Sequence, residues 1–216
     1  MRTIVTAALT LVALAPGPGA RFPDPVQDIK VVAAGTTETA VLAGGCFWGV
    51  EAVFDRLAGV KDVVSGFAGG SAQTAHYEIV SLGTTGHAES VKITYDPAKI
   101  TYGQLLKIFF AIAHDPTEIN RQGPDEGTQY RSAIFYGSRE QQTVAEAYIR
   151  QVNGAKIFPK PIATTVVPLE AFYPAEEYHQ HFLDRNPTNA YIVWNDLPKL
   201  DRLKKEFPQM LKAKRP

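Results

Sequence analysis

The chain reads as one α+β domain: a two-layer sandwich with a ferredoxin-like βαββαβ core, elaborated by extra helices and a strand. Three observations predict this. Stretches of period two and of helical period succeed one another as strand, helix, strand, strand, helix, strand. No internal repeat, linker or low-complexity tract divides them. The length, 216 residues, suits a single domain with a substantial core.

The N-terminus stands apart from that domain. Met1-Arg2-Thr3 is positively charged, residues 4–15 are apolar, and small residues follow to Ala20. That run is too short to span a bilayer but has the length of a signal-peptide core, so residues 1–20 are expected to be a leader and the protein to be exported, periplasmic or secreted. The leader holds no cysteine for a lipid anchor. Residues 21–38, with Pro23 and Pro25, read as an extended lead-in, and residues 39–216 as the domain proper.

Within the domain, residues 39–43 read as a strand that feeds a Gly-Gly turn. A helix follows, with Val50, Phe54 and Leu57 at helical spacing, Glu51 in its first turn and Gly59 closing it. Residues 60–67 form a second strand, and residues 71–87 a polar loop with His76, Tyr77 and His87. From residue 88 to 95 the alternation places Glu89, Val91, Ile93 and Tyr95 on one face. Glu89 is either the odd carboxyl of an apolar face, pushed toward its neutral form by burial, or an edge glutamate in water. Thr101 with Gln104 makes a capping box for a core helix bearing Leu105, Ile108, Phe109 and Ile112, which His114-Asp115-Pro116 stops. Residues 130–136 read as a strand. Ser138 with Gln141 opens another helix, with Val144, Tyr148 and Val152 on one side. Residues 161–169 are expected as a strand, 174–183 as a short helix and 199–207 as a last amphipathic helix. Trp194 and that Lys-rich helix read as packing and solvated surface.

Lys plus Arg equals Asp plus Glu, at 22 each. A neutral chain without basic blocks gives no reason to expect nucleic acid as a partner, or a membrane for the mature form. Five histidines are present, and His179 and His181 lie two apart, a spacing that points them to different sides of a helix. No metal site is expected.

The chemistry centres on Gly44-Gly45-Cys46-Phe47-Trp48-Gly49-Val50-Glu51, which holds the single cysteine. Cys46 falls where a strand gives way to a helix, and unpaired amides at a helix N-terminus favour an anion there. A thiol so placed is expected to ionise readily and to alkylate quickly at neutral pH. Phe47 and Trp48 put an apolar wall beside it. A lone cysteine is more often a core residue. The flanking glycines tip the reading toward a reactive one. Tyr77, Glu89, Asp125 and Tyr130, in loops or at strand ends, are candidate partners.

Taken together, several stretches resemble one family, the A-type peptide methionine-S-sulfoxide reductases. They are residues 45–51, Gly86-His87-Ala88-Glu89, Tyr95-Asp96-Pro97, His114-Asp115-Pro116, Gly127-Thr128-Gln129-Tyr130-Arg131-Ser132 and residues 172–180. The resemblance runs from about Thr39 to Asn186. It implies that Cys46 attacks the sulfur of methionine S-sulfoxide, free or in proteins, while a protonated Glu89 gives its proton to the sulfoxide oxygen. Tyr77 and Tyr130 would hydrogen-bond that oxygen, Asp125 would help organise the site, and Phe47 and Trp48 would receive the substrate methyl group. Methionine leaves and Cys46 remains as a sulfenic acid. His179 would be a structural neighbour.

Many members of that family carry further cysteines that resolve the sulfenic acid as a disulfide. This chain has none. No bound cofactor is expected. Regeneration is expected to need an external thiol: a thioredoxin-like protein, glutaredoxin with glutathione, or a small dithiol. A monomer is expected. Two other classes compete: a cysteine hydrolase or acyl transferase with His87 or His179 as base, and a binding module with a buried cysteine.

Overall fold

The computed structural model describes residues 22–30 and 35–213. The expected leader, residues 1–20, lies outside the described residues. In chain order the elements are β1 (Glu38–Gly44), α1 (Phe47–Asp55), β2 (Val60–Ala68), α2 (Tyr77–Val80), β3 (Ala88–Tyr95) and α3 (Tyr102–Ile108). Next come β4 (Arg121–Gln122), β5 (Asp125–Glu126), β6 (Ser132–Tyr136), α4 (Arg139–Gly154), β7 (Thr165–Pro168), β8 (Phe172–Pro174), α5 (Phe182–Arg185) and α6 (Leu197–Glu206). Six strands make one sheet in the order β7-β6-β1-β3-β2-β8, antiparallel throughout except for the parallel β6–β7 pair. The domain is therefore α+β with a mixed sheet. Strands β4 and β5 form a separate hairpin.

Alternation along β1 sends Ala40 and Leu42 to one face of the sheet and Val41 and Ala43 to the other, and both faces are buried. The first face carries the main core. There Leu42, Val91 and Ile93 meet Val50 and Phe54 of α1, Leu105 and Ile108 of α3, and Val144 and Tyr148 of α4. Each such side chain, fully buried, contributes about 1.5–3 kcal/mol. The helix starts are chemically marked. Thr101 Oγ1 accepts from Gln104 N–H while the Gln104 side chain accepts from Thr101 N–H, and Ser138 Oγ accepts from Gln141 N–H. Asp28 adds to the first of these, accepting from Thr101 Oγ1 and Gly103 N–H at 2.5 and 2.9 Å, so residues around 28 are tied to the start of α3.

Several expectations require correction. The helix expected over 174–183 does not form: Phe172–Pro174 pairs instead with Gly66–Ala68 of β2, and only a 3₁₀ turn, Glu177–His179, precedes α5. The Gln180 side chain explains the preference. Its Oε1 accepts from Ser65 N–H and its Nε2 donates to Ser65 C=O, both at 2.9 Å, so it takes the Ser65 N–H and shares with Ala175 N–H the carbonyl beyond the last paired residue of β8. Glu51 lies in the second turn of α1, not the first, and is buried. The loop 71–87 contains α2, β6 begins only at Ser132, and the strand over 161–169 is confined to Thr165–Pro168. Trp194 is 80 % exposed and so belongs to the surface. Short strands β4, β5 and β8 have too few residues to show a period.

Gly49, three residues after Cys46, shows how closely the C-terminal segment approaches α1. A Cβ there would lie 2.0 Å from Asp196 Oδ1 and 2.8 Å from Lys199 Nζ, an ion pair 3.0 Å apart whose carboxylate is buried. Alanine in place of a helical glycine ordinarily gains about 1 kcal/mol. Here the overlap outweighs that gain, and Gly49→Ala is expected to destabilise the domain by about 1–3 kcal/mol, read as a lower denaturation midpoint. A midpoint at or above the parent's would show that Asp196 moves aside freely.

Candidate active site

Strand β1 ends at Gly44, and Gly45 turns the chain at φ +87°. A Cβ on Gly45 would lie 2.5 Å from the Gln122 side chain, whose amide is itself bonded to both backbone groups of Asp115. This turn delivers Cys46 as the N-cap of α1, as the sequence predicts. The first amide of the helix goes to an acid. Phe47 N–H donates to Glu89 Oε2 at 3.0 Å, while the neighbouring Trp48 amide favours the thiolate of Cys46 without capping it. Glu89 reaches this point because it lies on β3 opposite Phe67 of β2, on the face that carries α1. Its side chain is buried, which removes the edge-glutamate reading.

Burial pushes the Glu89 carboxyl up to about 8, against the opposing pull of the Phe47 amide, and Asp125 pushes it the same way. At neutral pH Glu89 is therefore a carboxylic acid. One oxygen is engaged by Phe47 N–H, leaving the other to carry a proton. The expectation for Cys46 fails in the resting protein. Burial, then Glu89 and Asp196, hold its thiol well above the ordinary range; the Trp48 amide and Lys199 act the other way and lose. The helix-end effect exists, but desolvation of an almost wholly buried sulfur is the larger quantity. Cys46 rests as a thiol.

Cys46, Phe47, Trp48, Tyr77, Glu89, Asp125 and Tyr130 all line one cavity of about 300 Å³. All seven residues singled out from the sequence thus face one space. Tyr77 begins α2, where its N–H donates to Glu176 Oε1 at 3.1 Å. Tyr130 ends the 3₁₀ turn Thr128–Tyr130. Burial raises both phenols above their ordinary range, so both remain donors at physiological pH. Trp48 is held on three sides: it stacks on Phe182 at 3.8 Å, takes the edge of Tyr191 at 5.9 Å, and donates from Nε1 to His179 Nδ1 at 3.2 Å.

Two further lining residues, Asn189 and Tyr191, are absent from the sequence reading. The Tyr191 hydroxyl donates to Asp125 Oδ2, which explains why Asp125, raised by burial, is not left alone in the wall. An apolar-polar mixture over 187–196 gives no periodic signal that separates these two from surface. Other cavities exist, including one of about 360 Å³ lined by residues such as Tyr95 and Phe135, but none of the residues singled out from the sequence as site candidates lines it. No histidine lines the Cys46 cavity. His87 Nε2 is bonded to Ser71 C=O at 2.9 Å, and His179 Nδ1 is taken by Trp48, so neither is placed as a base for a hydrolase. Among the described residues, no three His, Cys, Asp or Glu side chains group as metal ligands would.

Residues 38–211 match the family model of peptide methionine sulfoxide reductase. The peptide methionine sulfoxide reductase MsrA 2 of Synechocystis sp. is 55 % identical over 194 residues, covering 89 % of this chain and 91 % of that one. The chain belongs to the MsrA family. Its relative in Mesorhizobium japonicum, also named MsrA 2, is 56 % identical over 182 residues, 84 % of this chain and 93 % of that one. Among solved structures, Mxr1 of Saccharomyces cerevisiae in its reduced form is 37 % identical with a TM-score of 0.61, over 74 % of this chain and 90 % of the other. Methionine sulfoxide reductase A of Corynebacterium diphtheriae is 36 % identical at a TM-score of 0.60, over 80 % and 86 %. This MsrA is a peptide-methionine (S)-S-oxide reductase that repairs oxidised proteins. The hydrolase and binding-module alternatives are overturned by that membership.

Proposed function

We propose that this MsrA works through Cys46 as nucleophile, with Glu89 as the acid that activates the sulfoxide. The carrying observation is the shared helix end, where the first amide of α1 binds the Glu89 carboxyl next to the Cys46 sulfur, and both acids line one cavity. The sulfoxide sulfur is a poor electrophile until its oxygen is protonated. In the proposed sequence the substrate methyl group lies against Phe47 and Trp48, and its oxygen accepts from Glu89, Tyr77 and Tyr130. Asp125, held by Tyr191, borders the same space. As Cys46 sulfur bonds to substrate sulfur, Glu89 gives up its proton and the thiol proton replaces it. The protonated oxygen then passes to the Cys46 sulfur: a Cys46 sulfur–oxygen bond forms as the substrate's sulfur–oxygen bond and the new sulfur–sulfur bond both break. The sum is thiol plus sulfoxide giving sulfenic acid plus thioether, two electrons passing to the substrate.

Keeping Glu89 neutral serves a second purpose. A carboxylate beside Cys46 would oppose thiolate formation, so the same proton that activates the substrate also permits the nucleophile to ionise.

With one cysteine in the chain, two equivalents of an external thiol would regenerate Cys46, releasing water and a disulfide. A thioredoxin-like protein, glutaredoxin with glutathione or a small dithiol each has the required chemistry. The charged, apolar and small-residue pattern of residues 1–20 supports a leader, an exported periplasmic or secreted enzyme, a lead-in over 21–38 and a single catalytic domain over 39–216. The order β6-β1-β3-β2, with α1 and α3 contributing to one buried face, supports reading the central strands as ferredoxin-like. We read the mature enzyme as a monomer.

The test presents each epimer of N-acetylmethionine sulfoxide to the enzyme with dithiothreitol as sole reductant. The S epimer is expected to be consumed catalytically and the R epimer at background. Equal consumption of both would remove the asymmetric placement of wall and acid.

A further inference from the structure

Glu51 is buried, 2 % exposed, and has no part in the chemistry above. A buried carboxyl needs partners. Those of Glu51 are chiefly backbone: both its oxygens accept from His181 N–H, at 3.0 and 3.1 Å, and the His181 imidazole lies 3.5 Å away. His181 adopts φ +50°, a left-handed conformation that persists in a residue with a Cβ only when its surroundings hold it. The preceding residue, Gln180, is bonded to both backbone groups of Ser65 and to Ala175 C=O. Residues 180 and 181 are therefore pinned twice, once to β2 and once to α1.

The residues on either side of that pin are two of the three that hold the Trp48 indole, the third being Tyr191. His179 accepts its Nε1–H, and Phe182 stacks on its ring at 3.8 Å. Trp48 and Glu51 are three apart on α1 and so share one face of the helix, which lets a single short strap touch both.

We propose that Glu51 is a positioning residue: by fastening the 179–182 strap to α1 it fixes the Trp48 indole as the wall of the substrate cavity. The inference rests on the reading of Trp48 as that wall. Glu51 touches neither substrate nor Cys46, so its effect is on binding geometry and not on the chemical step.

Three substitutions separate reach from charge. Glu51→Leu removes the acceptor, Glu51→Gln keeps an oxygen at the same reach, and Glu51→Asp keeps the charge one methylene short. Each is measured for KM and kcat with the S epimer, and for the NMR resonance of the Trp48 Nε1–H, assigned in a Trp194→Phe background. Leu and Asp are expected to raise KM about tenfold, with kcat within about threefold, and to shift the indole resonance; Gln is expected to restore parent values. If the Leu protein does not fold, the Asp and Gln pair decides. Parent KM and resonance in Glu51→Asp overturns the proposal, as does rescue by Asp but not by Gln. A loss of kcat at unchanged KM overturns it too. A resonance that moves while KM stays constant also overturns it; in that case Trp48→Ala, measured alone, shows whether the wall reading itself has failed.

Discussion

Exchanging Cys46 for serine is expected to lower kcat/KM for the S epimer by about 10⁴-fold or more, leaving the fold and its denaturation midpoint near the parent's. The hydroxyl is nearly the size of the thiol, and the Cys46 side chain makes no cap bond to α1 that the exchange could remove. What it lacks is chemistry. A serine oxygen is not appreciably ionised in a site already hostile to anions, and it cannot accept the sulfoxide oxygen to form a sulfenic acid. The resting thiol itself supplies a companion measurement. Because burial above all holds Cys46 protonated, iodoacetamide should label it slowly at pH 7 in the free enzyme and faster as pH rises. Turnover in the serine variant at parent rate would end the account of Cys46. Fast labelling of the parent at pH 7 would instead show that the helix amides dominate burial.

That contrast between sequence and structure recurs through the molecule. The helices with strong periods and marked starts, such as the one capped by Thr101 and Gln104, were legible because cap and apolar stripe are both local. For Glu89 the face follows from alternation in β3, but its burial does not, since an edge glutamate in water fits the same pattern. The sign of the Cys46 shift was not legible. It is a difference between a local effect, the helix amides, and a non-local one, the burial produced by the rest of the fold together with Glu89 and Asp196. Tyr191 and Asn189 were missed for a related reason: their place in the wall depends on the C-terminal segment folding back across α1, and the close packing of Asp196 on Gly49 that fixes this approach has no signature in the sequence. The same holds for β8, three residues long, whose pairing is secured by a glutamine side chain six residues beyond its end.

Glu89→Gln carries the second large effect, an expected loss of about 10²–10⁴-fold in kcat/KM. The amide is isosteric, its oxygen can still accept from Phe47 N–H, and its NH₂ can still donate to the substrate oxygen. It has no proton to give, so the loss isolates proton transfer from hydrogen bonding. The pH profile makes the assignment sharper. The acid form of Glu89 persists up to about 8, and parent kcat/KM should fall above that value as the proton is lost; in the glutamine variant this descending limb should vanish from the residual activity. Stability must obey the same titration. Between the ordinary carboxyl value of 4.5 and about 8 the folded chain keeps the Glu89 proton while the unfolded chain releases it. The unfolded state then binds fewer protons, so parent stability falls as pH rises through that window, by up to about 1.4 kcal/mol per pH unit from this group. Glu89→Gln removes that slope, and denaturation midpoints of the two proteins should diverge in favour of the variant as pH is raised from 5 to 8. Parallel midpoints, or a descending limb that survives the substitution, would mean that Glu89 is already ionised in the folded enzyme and that the sulfoxide draws its proton from another group.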